Sequence, residues 1–142
     1  MKHILKTDNF DMSRDLKIFE SDISYPTNTI MKAAVQSDEF SASTSMDIDI
    51  KEFAQFVFDL VNIYETLSGE AIIEEPYGVK MYISFSGNGR GHISVKGYLH
   101  SSNNGYEQQM EFENDIDQTY LRKFCYELSN SYEKYLINVR RK

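Results

Sequence analysis

The sequence predicts an α+β fold: an antiparallel β-sheet with two helices, laid out as pseudo-duplicated β-meander–α units. Three observations predict it. Two segments carry apolar residues at helical spacing. Most of the remaining apolar residues alternate with polar ones. Both patterns recur: after a shift of 68 residues Asp47-Ile48-Asp49 falls on Asp115-Ile116-Asp117, and Phe56, Leu60, Asn62, Tyr64 and Glu65 fall on Phe124, Leu128, Asn130, Tyr132 and Glu133. The chain therefore reads as one domain, residues 1–142, made of two units of about 1–68 and 69–142.

In chain order, Leu16 and Ile18 mark one strand, Ile30 to Val35 a second, and Phe40, Ala42, Thr44, Met46 and Ile48 a third. The first helix follows from Ile50 to Leu67. Asp49 is placed to cap it, and Glu52 stands three residues on, as in a capping box. Its apolar stripe is Phe53, Phe56, Val57, Leu60, Val61, Tyr64 and Leu67, and Gly69 is placed to end it in the left-handed conformation.

Beyond it, Val79, Met81, Ile83 and Phe85 alternate with Lys80, Tyr82 and Ser84. Ile93, Val95 and Leu99 alternate with Ser94, Lys96 and Tyr98. Tyr106, Met110 and Phe112 alternate with Glu107, Gln109, Glu111 and Glu113. One apolar and one wet face per strand predicts antiparallel pairing, with turns at Gly87–Gly91 and Ser101–Gly105. The second helix runs from about Thr119 to Ile137, capped by Asp117 or Asp115. Leu121, Phe124, Cys125, Leu128, Tyr132, Tyr135 and Leu136 form its stripe, and Arg140, Arg141 and Lys142 follow its end. At ordinary strand lengths this makes about seven or eight strands. The simplest packing lays both helices on one face of a shared sheet and leaves the other face open.

Composition narrows the function. A net charge of −7 argues against a nucleic-acid partner, which needs a basic footprint. It fits a soluble protein and favours a basic protein partner. One cysteine, Cys125, excludes an internal disulfide and a multi-thiolate metal cluster. The opening residues carry no apolar signal region, and no stretch approaches the ~18 apolar residues of a membrane span. The expected location is the cytoplasm, with no membrane partner.

The search for chemistry returns little. Gly87, Gly89 and Gly91 join two strands instead of opening a helix, and no Walker lysine follows them, so they read as a hairpin and not as a phosphate cradle. His3, His92 and His100 make no metal-ligand spacing, and His92 and His100 read as exposed strand residues. Cys125 lies in an apolar stripe, where thiols are inert. Glu107, Glu111, Glu113, Asp115 and Asp117 cluster without an intervening cation, which suits a solvated face, then a docking patch for a basic partner, then a catalytic pair. The expectation is a protein without cofactor, metal or catalytic residues.

The segment Gly91-His92-Ile93-Ser94-Val95-Lys96-Gly97, an acidic strand, and Asp117-Gln118-Thr119-Tyr120-Leu121-Arg122-Lys123-Phe124 together resemble the WapI family of bacterial immunity proteins. Tyr64-Glu65-Thr66-Leu67-Ser68-Gly69-Glu70-Ala71 fits as well, so the resemblance covers about Phe53 to Leu136. It implies a small cytoplasmic antitoxin. Such a protein binds and neutralises the C-terminal nuclease domain, of tRNase type, of a contact-dependent polymorphic toxin. The rival readings are a small hydrolase using Glu111 and Asp115, and a regulatory module holding a ligand between its halves.

The residues themselves suggest where a partner would sit. Tyr82, His92, Lys96 and Tyr98 lie opposite the apolar face, beside Glu107, Glu111, Glu113 and Asp115. Tyrosines next to carboxylates suit an Arg- and Lys-rich cleft. An ordinary wet sheet face, filled according to β-propensity, stands ahead of that reading. Edge strands leave monomer and homodimer both open.

Overall fold

The structure is a computed structural model, and it describes residues 2–6, 10–18, 29–76, 80–103 and 105–140. Eight strands and two helices follow one another as β1 (Lys2–Lys6), β2 (Phe10–Ile18), β3 (Thr29–Ser37), β4 (Phe40–Ile48), α1 (Ile50–Thr66), β5 (Ser68–Glu74), β6 (Tyr82–Asn88), β7 (His92–Asn103), β8 (Tyr106–Asp117) and α2 (Leu121–Arg140). A single 3-10 turn, Gln118–Tyr120, leads into α2. The order is four strands and a helix, twice over. Every pairing is antiparallel and sequential, so each unit is a meander.

The expectation of one shared sheet is corrected. There are two four-stranded sheets, β1-β2-β3-β4 and β5-β6-β7-β8. No described pairing joins one meander to the other, so each closes as its own sheet and the helices pack on each other as well as on the sheets. On α1, Ile50, Phe53, Ala54, Phe56, Val57, Leu60 and Ile63 are all buried. Phe56 meets Phe85 of β6 with ring centroids 6.0 Å apart, while Phe53 meets Tyr132 of α2 edge-on at 5.1 Å. The second helix in turn reaches the first strand, where Tyr132 lies 5.7 Å from the His3 ring. One continuous core takes in Leu5, Met31 and Met46 of the first sheet, Ile83, Val95 and Phe112 of the second, and the stripes of both helices.

Local chemistry sets the element ends. The Asp49 carboxylate accepts the Lys51 N–H at 2.9 Å and caps α1, as the sequence predicts. At the other end the C-cap is Leu67 (φ 65°), two residues before Gly69, which also takes a positive φ of 104° but already lies within β5. The chain enters β5 directly at Ser68, and the Leu67 N–H closes on the Ile63 carbonyl at 2.7 Å. Asp117 and not Asp115 caps the second helical segment, accepting the Thr119 N–H at 2.9 Å. Gly97, facing inward on β7, admits the Phe112 ring where any Cβ would collide with it and with the Tyr82 carbonyl.

Two aromatic residues assigned to inward rows lie outside. Phe40 is 72% exposed and Tyr106 75%. Each pairs with the last residue before a tight turn, Ser37 and Asn103, so each lies beyond the edge of the core. Val79 and the side chains of Leu16, Ile18, Ile30 and Leu136, all read as apolar-face residues, lie outside the described residues.

The sheets also touch at their margins. The Thr44 hydroxyl donates to the His100 carbonyl at 2.8 Å, and the Asn114 amide donates to the Ser37 hydroxyl. Glu75, just after β5, is buried, and its Oε2 accepts the Asp47 N–H at 3.0 Å. That contact joins the end of one sheet to the last strand of the other.

Candidate functional site: the outer face of the second sheet

Register and parity decide what faces outward. Ala71, Ile73, Ile83, Phe85, Ile93, Val95, Leu99, Phe112 and Ile116 are buried on the inner face. The residues between them point away, and pairing arranges them in rows across four strands. One row runs Glu74, Tyr82, Tyr98, Glu111; the next runs Ile72, Ser84, Lys96, Glu113; a third runs Glu70, Ser86, Ser94, Asp115. All eight residues singled out in the sequence lie on this face. Tyr82, Lys96, Tyr98, Glu111 and Glu113 form its centre. His92 and Asp115 lie toward one end and Glu107 toward the other.

Contacts within the face are polar and open. The Tyr98 hydroxyl donates to Gln109 Oε1 at 3.0 Å. Lys96 Nζ lies 3.9 Å from Glu113 Oε1, and His92 Nδ1 lies 3.5 Å from Asp115 Oδ2. His100 departs from the expectation of an exposed histidine. Its side chain is only 12% exposed, and its Nε2 lies 3.8 Å from Glu107 Oε1. Thr119 holds the Asp117 carboxyl below the usual aspartate range through its backbone and side-chain hydrogen bonds.

Sequence reasoning missed part of this face. Glu70 and Glu74 of β5 add carboxylates at its far margin, so seven acids (Glu70, Glu74, Glu107, Glu111, Glu113, Asp115, Asp117) face outward against one lysine, Lys96. The signal was there, because Glu70, Ile72 and Glu74 alternate with the buried Ala71 and Ile73. Exposed Ile72 adds an apolar spot to the middle row.

The rival chemistry finds weak footing. A hollow of about 530 Å³ beside the Gly87–Gly91 hairpin contains His92, Glu113 and Asp115. It is open, and the His92 and Asp115 side chains keep 59% and 67% of their surface in solvent. General acid–base work asks for a desolvated carboxyl, and nothing here desolvates one. Asn88 Oδ1 accepts the Arg90 and His92 N–H groups at 2.7 and 3.3 Å, closing this loop on itself as a hairpin. Among the described residues no group of three or more His, Cys, Asp or Glu is placed to hold a metal. Cys125 is buried, and burial pushes its thiol up to about 11. No helix among the described residues is long and apolar enough to cross a membrane.

The fold is a two-unit α+β frame with an acidic, aromatic-bearing sheet face turned to solvent, and comparison places the chain among immunity proteins. The model of the Immunity protein WapI-like family matches residues 13–136, most of the chain, and the protein belongs to that family. No curated protein matches it. Among solved structures it is similar to one described as the plant transcriptional regulator PBF-2, with a TM-score of 0.52 and 8% identity over 99% of this chain and 84% of that one. At that identity the likeness concerns the fold alone.

Proposed function

We propose that this protein is a single-domain immunity protein that acts in the cytoplasm of a bacterium. It binds and neutralises the C-terminal nuclease domain, of tRNase type, of a contact-dependent polymorphic toxin. The observation that carries this reading is the family match over residues 13–136. Membership of an immunity family implies a toxin as protein partner and speaks for binding over catalysis.

The nuclease identity of the partner is supported by charge. A nuclease cleft is basic because it must hold phosphates, and a face with seven carboxylates and one lysine complements it. Tyr82, His92, Lys96, Tyr98, Glu107, Glu111, Glu113 and Asp115 are the residues we assign to the contact. The tyrosines give area at small entropic cost, and the acids steer encounter.

Co-expression is the test. Bacteria that produce a tRNA-cleaving toxin domain encoded beside this chain should grow when the chain is co-expressed and retain intact tRNA. Death at the same rate with and without it removes the immunity reading for that toxin. Survival with a non-nuclease toxin instead would keep the immunity role and discard the nuclease.

A further inference from the structure

We propose that the groove between the β3–β4 hairpin and the open edge of β8 is a strand-docking site. Its occupant is an extended segment of the protein partner in which basic and apolar side chains alternate. The proposal rests on the immunity reading for the identity of that partner, and on the groove for everything else.

Two adjoining hollows make the groove, of about 470 and 360 Å³, and they share Ser41, Gln109 and Met110. An inter-sheet hydrogen bond ties the walls at each end, Thr44 to His100 and Asn114 to Ser37. The lining of the β8 wall is informative. It consists of consecutive residues, Gln108 through Glu113. Side chains alternate between sheet faces, so a groove lying on either face would touch every second residue. Contact with all of them means that the groove follows the edge of the strand. Among the described residues β8 ends the strand order of its sheet, with β7 on its other side. Its outer edge therefore offers backbone N–H and C=O groups to an added strand.

The side chains specify the occupant. Glu111 and Glu113 stand on one side of that edge, with Asp38 of the hairpin turn on the opposite wall, and neither Lys nor Arg lines either hollow. On the other side Met110 and Phe112 form an apolar floor, and Phe40, 72% exposed, stands at the rim. A strand laid along β8 turns one parity of its side chains toward the carboxylates and the other toward Met110 and Phe112. Basic residues alternating with apolar ones satisfy both. The wall from Gln108 to Glu113 is about 17 Å long at ~3.3 Å per residue, which suits about six residues.

Amide hydrogen exchange on the full chain tests this with the peptide acetyl-Lys-Val-Lys-Val-Lys-Val-amide. Its composition-matched control is acetyl-Lys-Lys-Lys-Val-Val-Val-amide. Outward amides among 108–113 should exchange fast in the free chain and slow at least about tenfold with the alternating peptide but not with the control. The double variant Glu111→Gln, Glu113→Gln should weaken that peptide about tenfold without changing the fold. Equal protection by both peptides overturns the proposal, because charge alone then accounts for binding. Slow exchange of these amides in the free chain, with a doubled mass in solution, also overturns it by showing a second copy on β8.

The toxin arm separates this proposal from the immunity reading. A neutralised toxin whose complex leaves the β8 amides fast sinks the groove and spares the immunity role. Amides protected by the alternating peptide, with no neutralisation of the toxin, keep the groove and remove the immunity role for that toxin.

Discussion

Glu75 shows how one side chain ties the molecule to pH. Burial raises its pKa above the usual 4.5. The Asp47 N–H and nearby His100 act against that shift, and the Asp47 charge adds to it. Between the ordinary value and the raised one, the folded chain holds more protons than the unfolded chain, so stability increases as pH falls through that window. Glu75→Gln keeps an acceptor for the Asp47 N–H and removes the charge. Its melting temperature should equal or exceed that of the parent at pH 7, and its stability should change less as pH falls toward the ordinary carboxylate range. Glu75→Ala removes the acceptor of the half-buried Asp47 N–H and should cost about 1 kcal/mol in urea unfolding. Gly97 makes a steric counterpart. Gly97→Ala drives a methyl group into the Phe112 ring and the Tyr82 carbonyl, and overpacking of this kind costs about 1–3 kcal/mol. A melting temperature unchanged by Gly97→Ala would mean that β8 yields at Phe112.

At the scale of elements, capping carries the clearest expectation. Asp49→Ala removes the acceptor of the Lys51 N–H and should lower stability by about 1 kcal/mol in denaturant unfolding, while Asp49→Asn should be nearly neutral. Asp117 plays the same part before α2. Because its pKa is lowered, its contribution is present above the ordinary aspartate range and is lost only as pH falls through the depressed value.

Both caps were legible in the sequence, as were the two helices and the parity of β6 and β7. Those strands alternate over enough residues for the pattern to stand out. β1 and β5 were not picked out as strands. They are short, and Lys2, Lys6, Ser68, Gly69 and Glu70 dilute the alternation that His3, Leu5, Ala71 and Ile73 carry. Phe40 and Tyr106 were placed wrongly because alternation fixes the side of a strand and not where the core ends. The outward rows could be read from parity, since neighbours in a meander follow once the hairpins are known. The groove along β8 could not, because it depends on how two sheets cross, and alternation is the same for one sheet or two.

For the whole molecule the charge pattern sets an expectation for binding. If the outer face of the second sheet meets a basic toxin, Tyr98→Ala should weaken the complex by about 2 kcal/mol or more in calorimetry. Charge reversal at Glu111 and Glu113 should mainly slow association, and that penalty should shrink as salt rises. Affinity untouched by all three changes, in protein shown to be folded, would move the interface elsewhere, to the Gly87–Gly91 hairpin or the helical face.

The contact between His3 and Tyr132 carries a consequence for the birth of the chain. Within each unit every strand pairs with its neighbour in sequence, so hairpins can zip as they leave the ribosome. The first strand, however, finds its cover on a helix made more than a hundred residues later. Until α2 has emerged, the inner face of β1 has no lid, and the first unit waits half-dressed for the second. Closure of β1 is therefore a late event. A ribosome stalled before residue 121 should present nascent chain that proteases cut readily, whereas emergence of α2 should make both units resistant in a single step.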